Sequence, residues 1–364
     1  MPEPTTVPAA APPPTTDTPS VTVVVINYKT AQLTIDCLES LEPDAQADPG
    51  LGVVVVDNAS GDDSPKLIAQ AIADRGWSRW AQVIDAGRNG GFSAGNNTGM
   101  AHRPAPFYLL SNSDTLLRPG TVPALRRALE QDPSLGLVGP QLTWPDGSPQ
   151  VSSFRQHTPI TELLQAAQTG PLTNLFIKHR VAGPVNDQPI APHWVSFACV
   201  MLRHELLEQA GPMDEGFFMY YEDVDYARRA RGAGFTVRYL PAVQAVHLRG
   251  GSSPVKSASA TRKRRPAYYY AARNRYYRNH YGLLGSLAAN ALWYAGRCVS
   301  LIREVVQRRP RTTVAREAGD LWLGFTTAGQ PRPTPTAGPF TVYPCPAHPR
   351  TPAADSPQPV GGAA

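Results

Sequence analysis

The sequence predicts an α/β protein built on a mostly parallel sheet, and three features carry that expectation. Residues 21–26 (VTVVVI) and 53–56 (VVVV) are continuous β-branched runs, as strands buried on both faces require. Stretches with apolar residues at helical spacing separate them from further short apolar runs. The alternation recurs at the interval of βαβ units, whose strands lie parallel.

Taken in order, the first strand is followed by an expected helix over 30–41, with Leu33, Cys37, Leu38 and Leu41 on one face. The second strand ends in Asp57. A helix over 64–73, a short strand over 82–84 and a helix over 93–102 follow. Residues 107–110 form another apolar strand that runs into Ser111-Asn112-Ser113-Asp114. From about residue 136 the alternation loosens. Residues 195–202 read as a strand and 204–210 as a short helix. Residues 222–233 read as a helix with Glu222, Asp223 and Asp225 in its first turn and Arg229 and Arg231 late, the charge order a helix dipole favours. Strands are expected at 237–240 and at 243–246, the latter ending in His247.

Composition sets the outer limits. Seventeen of the 38 prolines lie in residues 1–20 and 329–364, so both ends are expected to be disordered tails around a folded body of about 308 residues. The body divides into a domain over 21–255 and a helical arm over 256–328. Four separated cysteines without a Cys-x-x-Cys pair indicate neither a zinc site nor a disulfide scaffold, and fit a reducing compartment. No secretory leader opens the chain, and no run of about 18 apolar residues occurs. The net charge of +5 is unevenly placed: residues 249–316 hold fifteen Lys and Arg and one acid, Glu304. This basic arm seeks a negatively charged surface.

In open parallel sheets, ligands bind at the carboxyl ends of the strands. Asn27, Asp57, Asp114 and His247 all fall there. A dinucleotide-binding dehydrogenase needs Gly-x-Gly-x-x-Gly after the first strand, where this chain has Asn27-Tyr28-Lys29-Thr30. The glycine-rich stretch 87–97, which contains Asn89 and Gly91, has the wrong spacing for that fingerprint and lacks the Lys of a P-loop.

The series VVVINYKT, VVVVDNASGD, RNGGFSAGNNTG, YLLSNSDT and DEGFFMYYEDVDYARRARGAGF, ending near AVHLRG, resembles the family 2 glycosyltransferases of the GT-A fold. Within them it looks most like the bacterial rhamnosyltransferase and galactofuranosyltransferase-like branch. The resemblance covers about residues 21–250. It implies that Asp57, with Asn27, Asn89, Gly91 and Asn112 nearby, receives a nucleotide-diphosphate sugar. It implies that Asp114 binds a divalent cation, Mg²⁺ or Mn²⁺, with His247 as a second ligand. Asn112 is a neutral amide where some members carry a carboxylate.

The resemblance also implies a catalytic base at Asp223, which would take the acceptor hydroxyl proton in an inverting transfer. Glu222 is the rival for that role. Trp194 and Phe197 are read either as a wall for an acceptor sugar or as core. The arm interleaves Arg262-Lys263-Arg264-Arg265, Tyr268-Tyr269-Tyr270 and Arg273–Arg278 ahead of an apolar stretch over 283–296. No nucleic-acid fold motif accompanies it, and an interfacial membrane anchor fits better. The expected enzyme is cytoplasmic and peripheral at the inner face of the membrane. It would transfer a sugar, rhamnose from dTDP-rhamnose by branch resemblance, to a lipid-linked or cell-envelope glycan. The competing readings are transfer to a soluble acceptor, such as a secondary metabolite, and a non-catalytic nucleotide-sugar binder.

Overall fold

The computed structural model describes residues 19–248, 262–308, 313–333 and 341–343. In chain order the elements are β1 Val21–Asn27, α1 Ala31–Ala47, β2 Leu51–Asp57, α2 Ser64–Asp74, β3 Ala81–Asp85, α3 Gly91–His102, β4 Phe107–Asn112, β5 Thr115–Leu117, α4 Thr121–Gln131 and β6 Leu135–Thr143. There follow β7 Ser153–Phe154, α5 Pro159–Ala167, α6 Gly170–Leu175, β8 Trp194–Val195, β9 Cys199–Arg203, α7 His204–Ala210, α8 Glu222–Gly232 and β10 Thr236–His247. The last elements are α9 Ala267–Val306, α10 Glu317–Asp320 and β11 Thr341–Val342.

The main sheet has the order β11-β3-β2-β1-β4-β9-β6-β10-β5. β3, β2, β1 and β4 are parallel neighbours, and β6 and β10 are parallel to each other. β9 lies antiparallel between β4 and β6, so those six strands share one direction, while β9, β5 and β11 are reversed. The expected α/β architecture with a mostly parallel sheet is thus the observed one. Every residue of β2 is buried, as the apolar run requires. One face of the sheet packs Leu38, Leu41, Ile68, Ile72 and Leu125 from α1, α2 and α4. The other packs Met100, Leu206, Ala227 and Tyr276 from α3, α7, α8 and α9.

Three expectations are corrected. Residues 195–202 do not form one strand: Trp194–Val195 pairs with β7 in a small second sheet, while Cys199–Arg203 enters the main one. The two strands expected at 237–240 and 243–246 are a single strand, whose pairing with β6 slips between Leu240 and Gln244. Pro241, without an N–H, sits in that slip, where a missing donor does least harm. In the segment expected to be a disordered C-terminal tail, Thr341–Val342 adds to the free edge of β3.

The segment read as an arm is folded onto the body. The long helix α9 packs along α5 and breaks at Gly282, which has φ 67°. Its first half is core: Tyr270, Tyr276 and Tyr277 are fully buried. Its arginines are largely spent on internal ion pairs. Arg273 meets Glu162 at 2.9 Å, and Arg275 grips Asp214 with two 2.9 Å bonds. Arg264 and Arg265 pair with Asp320 and Glu317. The tyrosines ahead of the apolar stretch therefore build the interior instead of facing a membrane.

Candidate active site

The parallel register aligns Asn27, Asp57 and Asp85 across β1, β2 and β3, with Asn112 beside Ile26 on β4. All lie at the carboxyl end of the sheet. Asp57 is buried there and held by three hydrogen bonds. Its Oδ1 accepts from Asn27 Nδ2 (2.6 Å) and Ser60 Oγ (2.6 Å), and its Oδ2 accepts from the Ser60 N–H (2.9 Å). Asn27 is also buried, and its Oδ1 accepts from the hydroxyls of Thr30 and Thr34. Both faces of that amide are committed to protein, so Asn27 orients Asp57 and the β1–α1 turn. Ser60, absent from the sequence-based set, does the same from the other side.

Asn89 and Gly91 occupy the turn that opens α3. Asn89 Oδ1 accepts from the Gly91 N–H at 3.1 Å. Gly91 has φ 81°, and a Cβ built there would lie 2.0 Å from the carbonyl oxygen of Phe218. The same oxygen accepts from the Phe92 N–H at 2.7 Å. Glycine is demanded here by close backbone approach, which clamps the glycine-rich turn to the loop leading into α8.

His247 ends β10 and pairs with Thr115 of β5, directly after Asp114. This antiparallel pairing brings His247 Nε2 to 3.4 Å from Asp114 Oδ1, with both side chains buried. Gln150 Nε2 fixes the His247 carbonyl at 2.7 Å, and Ser113 Oγ lies 3.1 Å from Thr30 Oγ1. Among the described residues no three His, Cys, Asp or Glu side chains form a metal cluster. The donor set is one carboxylate and one imidazole. The carboxylate suits Mg²⁺ or Mn²⁺, which keep several positions for water and substrate phosphates, and the imidazole adds a nitrogen donor that hard Mg²⁺ takes less readily.

Glu222 and Asp223 open α8, preceded by two tyrosines in left-handed geometry, Tyr220 (φ 74°) and Tyr221 (φ 66°). Bulky residues adopt this conformation only where surrounding contacts enforce it. Nothing in the sequence signals it. Burial raises Asp223 to about 7, against a hydrogen bond from the Val224 N–H to Oδ1 (2.8 Å) that favours the charged form. Burial, with the Asp223 charge next to it, pushes Glu222 well above the ordinary carboxylate range. Burial thus raises both carboxyls, and Glu222 is the more deeply buried of the two. Asp225 faces the other way, with His280 Nε2 of α9 at 2.7 Å and Arg229 at 3.6 Å. His280 therefore ties the first turn of α8 to the segment read as an arm.

Trp194 stacks on Phe154 (ring centroids 4.0 Å, planes 13° apart) and donates from Nε1 to the Arg155 carbonyl at 2.8 Å. It lines a cavity of about 430 Å³ with Phe154, His157, Thr161, Leu164 and Arg180. Burial holds the His157 imidazole down at about 4, so it is neutral, and its ring lies 5.2 Å from that of Tyr221. The cavity is one aromatic ring removed from the Glu222–Asp223 turn. Phe197 is core.

The mostly parallel sheet, with Asp57, Asp114 and His247 at its carboxyl edge, has the architecture of the GT-A fold. Residues 22–207 match the model of glycosyl transferase family 2, and the chain belongs to that family. It is 27% identical over 225 residues to the N-acetylglucosaminyl-diphospho-decaprenol L-rhamnosyltransferase of Mycobacterium tuberculosis, covering 57% of this chain and 70% of that one. It is 24% identical over 233 residues to the low-salt glycan biosynthesis hexosyltransferase Agl10 of Haloferax volcanii, covering 62% and 66%. Among solved structures, the mannosyltransferase of Pyrobaculum calidifontis in complex with GDP-Man and Mn²⁺ superposes with a TM-score of 0.52 at 18% identity, over 79% of this chain and 76% of that one. GalNAc-T7 with UDP, GalNAc and Mn²⁺ gives 0.51 at 11% identity, over 80% and 58%. At these identities the structures share the fold. The protein is a glycosyltransferase.

Proposed function

We propose that this glycosyltransferase inverts the anomeric centre of a nucleotide-diphosphate sugar and delivers it to a hydroxyl of a lipid-linked saccharide at the cytoplasmic face of a membrane. The observation that carries the reading is the pairing of Asp114 with His247 on the same sheet edge as Asp57, ahead of a helix start where Asp223 titrates near 7. Asp57, oriented by Asn27 and Ser60, accepts from the donor's base. Asn89, Gly91 and Asn112 line the nucleotide side. Asp114 and His247 would hold a divalent cation, which when bound neutralises charge on the leaving diphosphate. Asp223 takes the proton from the acceptor oxygen as that oxygen bonds to the anomeric carbon. The bond from that carbon to the diphosphate breaks, and its electron pair leaves on the nucleoside diphosphate. Glu222, kept protonated, lowers the local negative charge beside the base. The aromatic cavity around Trp194 is read as the acceptor side.

The mycobacterial relative's name supports rhamnose as the sugar and a polyprenyl-diphosphate saccharide as the acceptor, while dTDP-rhamnose as the donor rests on the branch resemblance of the sequence motifs. The basic run Arg308-Arg309-Pro310-Arg311, within the segment 249–316, supports an anionic membrane surface as a partner. The decisive experiment is isotope-detected hydrolysis across a panel of nucleotide sugars, followed by transfer to lipid-linked GlcNAc. Turnover of dTDP-rhamnose above all other donors is expected. Preference for a UDP- or GDP-sugar overturns the donor assignment, and transfer only to a soluble acceptor overturns the membrane assignment.

A further inference from the structure

The second half of α9, from Leu283 to Val306, is built inside out. At 100° per residue, Leu284, Leu287, Ala288, Ala291, Ala295, Cys298, Val299, Ile302, Val305 and Val306 fall on one stripe, and all are exposed. Leu284 is 81% exposed, Ile302 65%, Val305 77% and Val306 75%. The opposite face, turned to the body, carries Ser286, Asn290, Arg297, Ser300 and Glu304 beside the apolar Ala289 and Trp293. Three of these residues bond to one another, and Asn290 bonds to Arg273, while Ser286 Oγ and Asn290 Nδ2 have no hydrogen-bond partner among the described residues. Arg297 pairs with Glu304 through two bonds (2.8 and 3.0 Å) and donates to Ser300 Oγ, while Asn290 Oδ1 accepts from Arg273. A helix packed on a soluble body ordinarily shows the reverse arrangement. A continuous exposed apolar stripe about 36 Å long marks a contact surface.

We infer that this stripe lies in the headgroup region of an anionic phospholipid bilayer, with the helix axis in the membrane plane. The inference deepens the proposed membrane-facing function by naming the element and the kind of contact. Two observations on charge select the occupant. No acid is exposed along the stripe, since Glu304 is buried against Arg297. Cations follow in the sequence at Arg308-Arg309-Pro310-Arg311, a charge that an anionic bilayer complements. The segments outside the described residues are poor in large apolar side chains. Residues 1–18, 249–261, 309–312, 334–340 and 344–364 offer only Met1, Val7, Val255, Phe340 and Val360 as large apolar side chains. No helix among the described residues is long and apolar enough to cross a membrane, so the element lies on the surface.

The test uses the full chain and vesicles of phosphatidylcholine with and without phosphatidylglycerol. Charge attraction alone is fully reversed by high salt. An inserted apolar face leaves a bound fraction on anionic vesicles after the salt wash. The triple variant Leu284→Gln, Ile302→Gln, Val305→Gln, made at exposed positions, should lower vesicle partition on the order of tenfold or more while keeping the parent melting temperature and donor hydrolysis. As a second readout, Cys298 is exposed on the stripe while Cys37 and Cys199 are buried. In a Cys345→Ser background, an environment-sensitive dye on Cys298 should shift to the blue on anionic vesicles and be quenched by brominated lipid chains. Complete release by salt with no dye shift overturns the inference while leaving the membrane reading in place. A parent that ignores vesicles but forms a dimer lost in the triple variant assigns the stripe to self-association and overturns both. Donor hydrolysis, measured separately, reports on the catalytic reading alone.

Discussion

His247 and Asp114 stand 3.4 Å apart because β10, near one edge of the sheet, runs antiparallel alongside the three-residue β5. A carboxylate that leaves β4 in one βαβ unit is thereby met by an imidazole delivered from the far end of the domain. Neither residue is adjacent to the other in any local motif, and only closure of the sheet edge joins them. A cation held there would require the whole domain to be folded first.

Removing the carboxylate should therefore cost more than removing the imidazole. Asp114→Asn is expected to weaken Mn²⁺-dependent binding of a nucleoside diphosphate by tenfold or more, and His247→Ala by less. Calorimetric titration with and without Mn²⁺ measures both. Undiminished transfer after exhaustive chelation would show that the diphosphate is neutralised by other means.

The two carboxyls at the start of α8 should separate by function. Asp223→Asn keeps size and removes basicity, and is expected to lower transfer by roughly 10² to 10⁴-fold with donor binding nearly unchanged. Glu222→Gln, which mimics the protonated acid, should retain most activity. In the parent, kcat/KM should rise with pH up to about 7 and then level off, as the base loses its proton. A parent-like rate for Asp223→Asn together with inactive Glu222→Gln would reverse the assignment.

The same pair makes stability depend on pH with a definite sign. Both carboxyls are raised in the folded state, so folding favours their protonated forms. The penalty for ionising them is absent below the unfolded value near 4 and grows as pH rises through about 7. Glu222→Gln should accordingly melt a few degrees above the parent at pH 8 and close to it at pH 4. Thermal melts across that range decide the point, and an unchanged difference at the two pH values would contradict it.

Gly91 and Gly87 offer a paired test of the clamp between the donor turn and the catalytic loop. Both have positive φ, but a Cβ at Gly87 meets open space while one at Gly91 strikes the Phe218 carbonyl. Gly87→Ala should cost only the left-handed backbone penalty, about 1 kcal/mol. Gly91→Ala must in addition push two loops apart, and is expected to abolish donor binding or folding. Equal melting temperatures for the two variants would mean the loops separate freely.

Much of this layout is legible in the sequence because the rule behind it is simple. Runs such as VTVVVI and LGVVVVD are too apolar to face water on either side, so they name the central strands, and their ends name the site edge. Asp57, Asp114 and His247 follow directly. The β6 strand escapes notice because its sequence, LGLVGPQLT, carries two glycines and a proline. The structure explains them by close approach: a Cβ at Gly136 would meet Phe235 at 2.7 Å, and one at Gly139 would meet Val195 at 2.9 Å. Left-handed Tyr220 and Tyr221 have no local signature at all. The basic, tyrosine-rich stretch misleads for a different reason: composition cannot distinguish an arginine facing solvent from one facing Asp214 or Glu162.

That stretch makes the sharpest claim about folding. Arg275 and Asp214 form a buried, two-bonded pair that ties α9 to the loop leading into the catalytic turn. Removing one partner strands a charge in the interior, a loss of about 3–5 kcal/mol. Arg275→Met should therefore lower the melting temperature strongly and reduce activity, although the residue lies outside the site. Arg275→Lys keeps the charge without the planar fork and should fall between the parent and Met. Asp214→Leu combined with Arg275→Met removes both charges and should recover much of the lost stability. A double variant no more stable than Arg275→Met alone would show that packing against Phe217, rather than the ion pair, holds the segment in place.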